Sequence, residues 1–520
     1  MRRREILRGA ASLALLAGGL TLRPCVADAA PLSHDAFASP DAPASRDTRV
    51  ARIAFMSAIN SLDPVMTIES LPLFRSIFDA LTDTAPDGAL RPRLAESWTS
   101  ADLGRSWIFR VRAGAVWSDG TPVTADDVLY TVRKILASPV SLNRNYLEAI
   151  AAVARSGPRD VLFTLKRPVA AWPRQMTLIS IVPERAYQKL GPAGFAAHPV
   201  GSGPYSVSQW DRAGNLTLVA NPHYWGGVPD IGTVTVVPLP DSVARLNGLL
   251  SGELDVIPLA PQQVALARNR ANIAVETVAS NRVAYLGFNV SDPVLADTGL
   301  RHAIDCAIDR PSIARYLLDG LAQPTGSLVA PATFGFDATL QPTSYDPARA
   351  RRLVAASSYR GTPIQFDYAT DGTVPLGSQV AQAIGGYLEA VGIHVKLHGV
   401  DQRSLIADWI THRFPGFYMF TYAPSTMDAS LVTGSLIGPN GARYFTDSSM
   451  DALEHAQQAE ADPVVRAHLF AEILRRSDEH VYYAPLLSDS YSFAIRTDKV
   501  SFTPRADGYV FAQDLHTPRS

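Results

Sequence analysis

Ile364-Gln-Phe366-Asp-Tyr368 begins the stretch that decides the fold. Its apolar side chains alternate, as on a strand with one buried face. Val380, Ile384, Leu388 and Val391 follow at helical spacing, and Gly392 stops the run. Ile393-His-Val395-Lys-Leu397 then alternates again. Strand, helix and strand in this order form a βαβ unit, hence a parallel sheet with a right-handed crossover. Gly416-Phe-Tyr-Met-Phe-Thr421 reads as a third strand. The loop after it, Tyr422 to Ser430, leaves the carboxyl end of a sheet strand, where open α/β sheets bind ligands.

The same signals extend in both directions. Ser106–Arg112, Arg159–Leu165 and Asn215–Val219 read as strands. Thr124 with Asp127 makes a capping box ahead of Val128, Val132, Ile135 and Leu136. Asp241 caps a helix that ends at Gly252, before a strand over Leu254–Ile257. Asp346-Pro347 starts another helix, with Pro at its first position. The chain has 520 residues, enough for two or three compact units. Six of its seven tryptophans (98, 107, 117, 172, 210 and 225) lie in the first half, which points to two lobes of different character.

A formal charge of −2 leaves no basic excess for phosphates, which argues against nucleic acid as a partner. Arg2, Arg3, Arg4 and Arg8 precede a 14-residue apolar run, Gly9–Leu22, too short to span a bilayer comfortably. Ala27 and Ala29 supply a small-residue cleavage pattern, so residues 1–29 read as an export signal. Arg3-Arg4-Glu5-Ile6-Leu7-Arg8 has the twin-arginine form, with the general secretory route as its alternative. Cys25 lies in Leu22-Arg-Pro-Cys25, which places Arg and Pro where a lipidation site wants small residues. The expected product is periplasmic, without a lipid anchor, and carries a formal charge of −5 after losing five Arg and two acids. Residues 30–48, rich in Ala, Pro, Ser and Asp, read as a flexible tether.

Chemistry-bearing motifs are absent. The chain contains no G-x-S-x-G, H-E-x-x-H or G-x-x-x-x-G-K-[ST] pattern. Gly201-Ser-Gly203-Pro lacks the third glycine of a dinucleotide loop. His394 and His398 share a strand's polar face with Lys396, a solvated face rather than a metal site. Cys306 sits among Leu300, Ile304 and Ile308 and reads as a packed core thiol. Cys25 and Cys306 make no disulfide framework. No catalytic residue, metal ligand or cofactor site is expected. The residues alone leave two readings open, an exported two-lobe binding protein and an unidentified hydrolase.

From Ser61 onward the chain resembles the large extracytoplasmic solute-binding proteins of ABC importers, the oligopeptide-, dipeptide- and nickel-binding family. Leu62-Asp-Pro64, Leu94-Ala-Glu-Ser-Trp98 and Trp117-Ser-Asp-Gly-Thr-Pro122 with Thr124-Ala-Asp-Asp-Val128 carry the resemblance. Val200-Gly-Ser-Gly-Pro-Tyr205, Asn221-Pro-His-Tyr-Trp-Gly226, Ser251-Gly-Glu-Leu-Asp255, Tyr285-Leu-Gly-Phe-Asn289, Ala307-Ile-Asp-Arg310 and Tyr345-Asp-Pro-Ala-Arg-Ala350 continue it in order. Most of these residues are scaffold: Gly201 and Gly203 are expected in a tight turn, Trp117 and Trp225 in packing. The resemblance implies a two-lobe α/β fold of the periplasmic-binding-protein type, with an extra subdomain, two hinge strands and a ligand cleft. Lobe I is expected over 49–282 plus 486–520, and lobe II over 283–485. It further implies a monomer that closes on a peptide or other small molecule and delivers it to an ABC permease and ATPase complex.

The loop at Tyr422 departs from the family pattern. Peptide binders resembling this chain read W-x-x-D-x-x-[DE]-P there, and their first Asp grips the ligand ammonium. This chain reads Tyr422-Ala-Pro-Ser425-Thr-Met-Asp428-Ala, so Ser425 occupies the gripping position and Asp428 matches the second acid. A buried ammonium needs a charged partner, and a serine offers only a neutral oxygen. Candidate ligand-binding residues are therefore Tyr422 as an aromatic wall, Ser425 as a neutral hydrogen-bonding group and Asp428 as the charge. Tyr285 and Asn289 are added from their family block. Asp428 has a competing reading as the cap of a helix starting at Ala429. Tyr422-Ala-Pro424 is also similar to the W-G-A-P of nickel-binding members, which makes a metal chelate the alternative ligand. No histidine lies between His412 and His455 to supply an imidazole. The rival from another class remains an exported hydrolase of glycans or peptides.

Overall fold

The computed structural model describes residues 49–371 and 374–518. The expected export signal and tether, 1–29 and 30–48, lie outside the described residues. Ten strands form the main path of the large sheet: β1 Val50–Phe55, β2 Tyr205–Trp210, β3 Leu216–Ala220, β4 Thr233–Pro238, β5 Val256–Leu259, β6 Ile273–Phe288, β7 Ile364–Ala369, β8 Val395–Val400, β9 Phe417–Tyr422 and β10 Tyr483–Arg496. Their spatial order is β8-β7-β9-β6-β10-β5-β1-β4-β3-β2. The short strand Ala322–Pro324 also pairs with β10.

The βαβ unit is formed as its periodicity predicts. Strands β7 and β8 are parallel, with Ile364 opposite Val395, and the helix α1, Gly377–Glu389, connects them. Strand β9 lies parallel to β7 and antiparallel to β6. Alternation along β9 then builds two cores at once. Phe417 and Met419 join Phe366, Ile384 and Leu388 on one face, while Tyr418 and Phe420 join Val432, Leu436 and Phe470 on the other. Phe366 and Phe417 stack with ring centroids 4.5 Å apart. Burying one such aromatic side chain contributes about 1.5–3 kcal/mol.

A separate core serves the other half of the sheet. It gathers Phe74, Phe78, Trp117 and Trp172 with Val234 and Val236, and takes Phe493, Ile495 and Leu515 from the end of the chain. Within this half, an antiparallel four-stranded sheet (Ala95–Ala101, Ser106–Val111, Asp160–Leu165, Ile150–Arg155) forms the additional layer. The helix Ala125–Ala137 packs beside it behind the predicted capping box, with Thr124 N donating to Asp127 Oδ2 at 2.8 Å. Trp117 and Cys306 are buried as expected. Gly201 and Gly203 are needed for a different reason from the expected turn. A Cβ on Gly201 would stand 1.9 Å from the Ile77 carbonyl oxygen, and one on Gly203 would stand 2.6 Å from the Ile77 carbonyl carbon. Close backbone approach excludes any side chain there.

In the sheet order the halves meet at the β6–β10 ladder. Ile273–Ala279 pair with Arg496–Ser490 beside β5, and Val283–Gly287 pair with Ser488–Tyr483 beside β9. The register breaks between Ala279 and Val283. Arg282 fills the break: its Nε donates to Asp489 Oδ2 at 2.8 Å, and Ser280 also donates to Asp489. The irregularity interrupts the ladder where the halves meet.

Candidate functional site

Tyr422 ends β9, and the chain turns through residues 423–428 into the helix α2, Ala429–Leu436. Asp428 is its N-cap: Oδ1 accepts from the Ser430 backbone N–H at 2.9 Å. The same carboxylate is fully buried and takes two hydrogen bonds from Arg466, from Nη1 to Oδ2 at 2.8 Å and from Nη2 to Oδ1 at 2.7 Å. Arg466 belongs to the long helix α4, Pro463–Glu479, which follows α3, Ser448–Ala459. Burial alone would push the Asp428 carboxyl up, but Arg466 at hydrogen-bond distance holds it below the usual carboxylate range. The expectation of a charge free for a ligand cation is therefore corrected. The charge of Asp428 is spent inside the protein, and the capping reading is the geometry observed.

Arg174, from the other half, reaches the same carboxylate, with Nε 3.4 Å from Asp428 Oδ2. Its Nη1 donates to the Gly88 carbonyl at 2.9 Å. Phe334 lies under both cations, with the Arg174 and Arg466 guanidinium carbons 5.5 and 5.3 Å from its ring centroid. Two further contacts cross between the halves nearby. The Ala170 N–H donates to the Gln458 carbonyl at 2.8 Å, and Arg167 Nη1 donates to Gln458 Oε1 at 2.7 Å.

Between these contacts lies a cavity of about 290 Å³. Residues 167–175 wall one side, and residues 430–466 of α2, α3 and the start of α4 wall the other. Its polar lining includes Arg167, Gln175, Ser435, Glu454, Gln457 and Gln458. Tyr422 reaches this lining at one remove, because its hydroxyl is 2.7 Å from the Ser435 hydroxyl. Its phenol is raised by burial. Ser425 is half-buried in the loop.

Tyr285 and Asn289 are placed elsewhere. Tyr285 is fully buried between Tyr418, Phe420 and Tyr483 in the second core, because alternation along β6 turns it to that face. Asn289 Nδ2 donates to the Phe414 carbonyl and its Oδ1 accepts from the Ser291 N–H, so both polar ends serve the backbone around β9. The fold thus gathers Tyr422, Ser425 and Asp428 on one loop and leaves Tyr285 and Asn289 in packing positions. Arg174 and Arg466, the partners of Asp428, are not singled out by the sequence. Nothing in the residues around them marks them, since each acquires its role from an element distant along the chain.

A profile described as "Bacterial extracellular solute-binding proteins, family 5 Middle" matches residues 89–442. The chain is 24% identical over 471 residues to the probable D,D-dipeptide-binding periplasmic protein DdpA of Escherichia coli K12, covering 85% of this chain and 89% of that one. It is 24% identical over 443 residues to the nickel-binding periplasmic protein of the same organism, covering 79% and 83%. The crystal structure of the ABC transporter substrate-binding protein CtaP from Listeria monocytogenes superposes with a TM-score of 0.81 at 21% identity, over 91% of this chain and 100% of that one.

Proposed function

Because the chain belongs to the bacterial extracellular solute-binding proteins of family 5, we propose that it captures a peptide or peptide-like small molecule and hands it to the permease of an ABC importer. The observation that carries this reading is the cavity walled by residues 167–175 on one side and 430–466 on the other. A ligand there touches both halves, so its binding energy favours the closed arrangement over the open one. The β6–β10 ribbon is the hinge in this scheme, with lobe I over 49–282 plus 486–520 and lobe II over 283–485. No covalent step is involved. The DdpA relative, named for a dipeptide, supports the peptide class.

In the same proposal residues 1–29 direct export by the twin-arginine route, and the mature chain works as a periplasmic monomer beside its permease and ATPase. The test uses ligand recovered from protein purified from its own host and identified by native mass spectrometry. Adding it to stripped protein lowers the radius of gyration in small-angle scattering. Tight binding with no compaction refutes closure. Stabilisation follows mass action, about 2.7 kcal/mol at a hundred-fold excess over the dissociation constant.

A further inference from the structure

Asn281 sits in the middle of the break in the β6–β10 ladder, where the register skips from Ala279 to Val283. Its neighbours Ser280 and Arg282 both bond across the break to Asp489. Asn281 itself is buried and bonds in two other directions. Its backbone N–H donates to the Ala506 carbonyl at 2.9 Å, in the returning end of the chain that belongs to the proposed lobe I. Its side-chain Nδ2 donates to the Pro424 carbonyl at 3.1 Å and to Met427 Sδ at 3.2 Å, both on the loop that follows β9 in the proposed lobe II. The carbonyl opposite fixes which end of the amide points to the loop, because only the nitrogen end donates.

The loop it grips is closed on itself and strained. The Met427 N–H donates to the Pro424 carbonyl at 3.0 Å, and Met427 holds φ 54°, a left-handed backbone that residues with side chains rarely adopt. Such a conformation persists only where its surroundings over-determine it. Here the Asn281 amide takes both ends of the turn, and the Phe334 N–H donates to the Met427 carbonyl at 3.1 Å. Directly after Met427 the chain enters Asp428 and α2, part of one wall of the cavity. We propose that Asn281 is the positioning residue that couples the hinge to the ligand loop: its amide holds the turn 424–427 to the ladder break, so that loop and break open as one unit. Rotation at the break draws the amide away from Pro424 and Met427, and the turn loses contacts that hold its strained shape. The inference rests on the proposed closure and adds to it the residue through which closure reaches the loop.

The test uses the mature full-length chain and hydrogen exchange resolved by mass spectrometry. The reporting amides are Asn281 and Arg282 at the break and Met427 and Ala429 on the loop, each hydrogen-bonded in the structure. In the wild type the two pairs exchange through one shared opening, with protection equal to within about threefold and the same response to low urea. Asn281→Leu, similar in size and without the amide, speeds exchange at Met427 and Ala429 by about tenfold or more and leaves the adjoining ladder over 283–287 at wild-type rates. A second readout separates positioning from packing. Native mass spectrometry counts the share of molecules that leave the host with a small molecule bound, and that share falls in Asn281→Leu. A merely structural role lowers the melting temperature and leaves the share unchanged, which overturns the proposal. Independent exchange of the two pairs in the wild type, or unchanged loop exchange in Asn281→Leu, overturns the coupling and leaves ligand capture standing. One shared opening in a wild type that binds its recovered ligand without compaction overturns closure instead. The wild-type comparison needs no variant, so it decides the matter even where Asn281→Leu does not fold.

Discussion

Replacing Asp428 by Asn separates a structural acid from a ligand-binding one. The native carboxylate is fully buried and bonded twice to Arg466, whose own exposure is 6%. The asparagine caps α2 as well as the aspartate does, so the Ser430 contact survives. What is lost is the charge: Arg466 stays buried with only neutral acceptors, the new amide oxygen and Gln457. Leaving one member of a buried pair uncompensated costs about 3–5 kcal/mol. Urea unfolding at pH 7 measures this directly. The double variant Asp428→Asn with Arg466→Met then costs less than the two single changes added together, because it leaves no orphaned cation. The pH dependence follows from the lowered carboxyl of Asp428. Its contribution is fully present above the unfolded value near about 3.9 and disappears as pH falls through the lower folded value. The gap between wild type and variant therefore stays constant from pH 8 to 5 and narrows only in acid. A loss below about 1 kcal/mol, the scale of an exposed pair, would refute the buried-pair account.

Three further outcomes follow from other residues. Asp478, raised to about 6 by burial and then by the neighbouring Asp305, contributes stability below its unfolded pKa that is lost as pH rises through the folded one; Asp478→Asn therefore stabilises the protein by about 2–3 kcal/mol at pH 7.5 and hardly at all at pH 4, read as the difference between denaturation curves at the two values. Arg174→Ala removes a contact to Asp428 that crosses between the halves, so the unliganded protein shows a larger radius of gyration and the recovered ligand binds up to about tenfold more weakly, about 1.4 kcal/mol; an unchanged scattering curve would show that this contact does not hold the halves together. Changing Arg3 and Arg4 together to Lys traps the precursor inside the cell, and normal export of that variant would assign the chain to the general secretory route.

Local signals were legible where the backbone decides the outcome. Period-two and helical spacing located β7, α1, β8 and β9, and caps located helix starts at Thr124, Asp241 and Asp346. The strand expected over Leu254–Ile257 starts later, at Val256. The reason lies in the preceding helix end. Gly252 adopts φ 84°, and the N–H groups of Glu253 and Leu254 both donate to the Gly248 carbonyl, at 2.8 and 3.0 Å. The helix cap occupies the residues that the alternation assigned to the strand. Tyr285 shows the opposite limit. Its strand was legible, but which face of β6 meets the second core depends on the pairing with β9 and β10, which join residues far apart in the chain.

The candidate site was legible only as a loop, and the reason is electrostatic. Read along the chain, Asp428 is the lone charge between Tyr422 and Ser430 and invites a ligand cation. In space Arg466 and Arg174 have already claimed it. A carboxylate removed from water takes a partner from whatever the fold brings near. Asp428 found arginines and became scaffold. Whether an acid is left free is thus decided by where the arginines fall in three dimensions, a quantity that motif spacing does not encode.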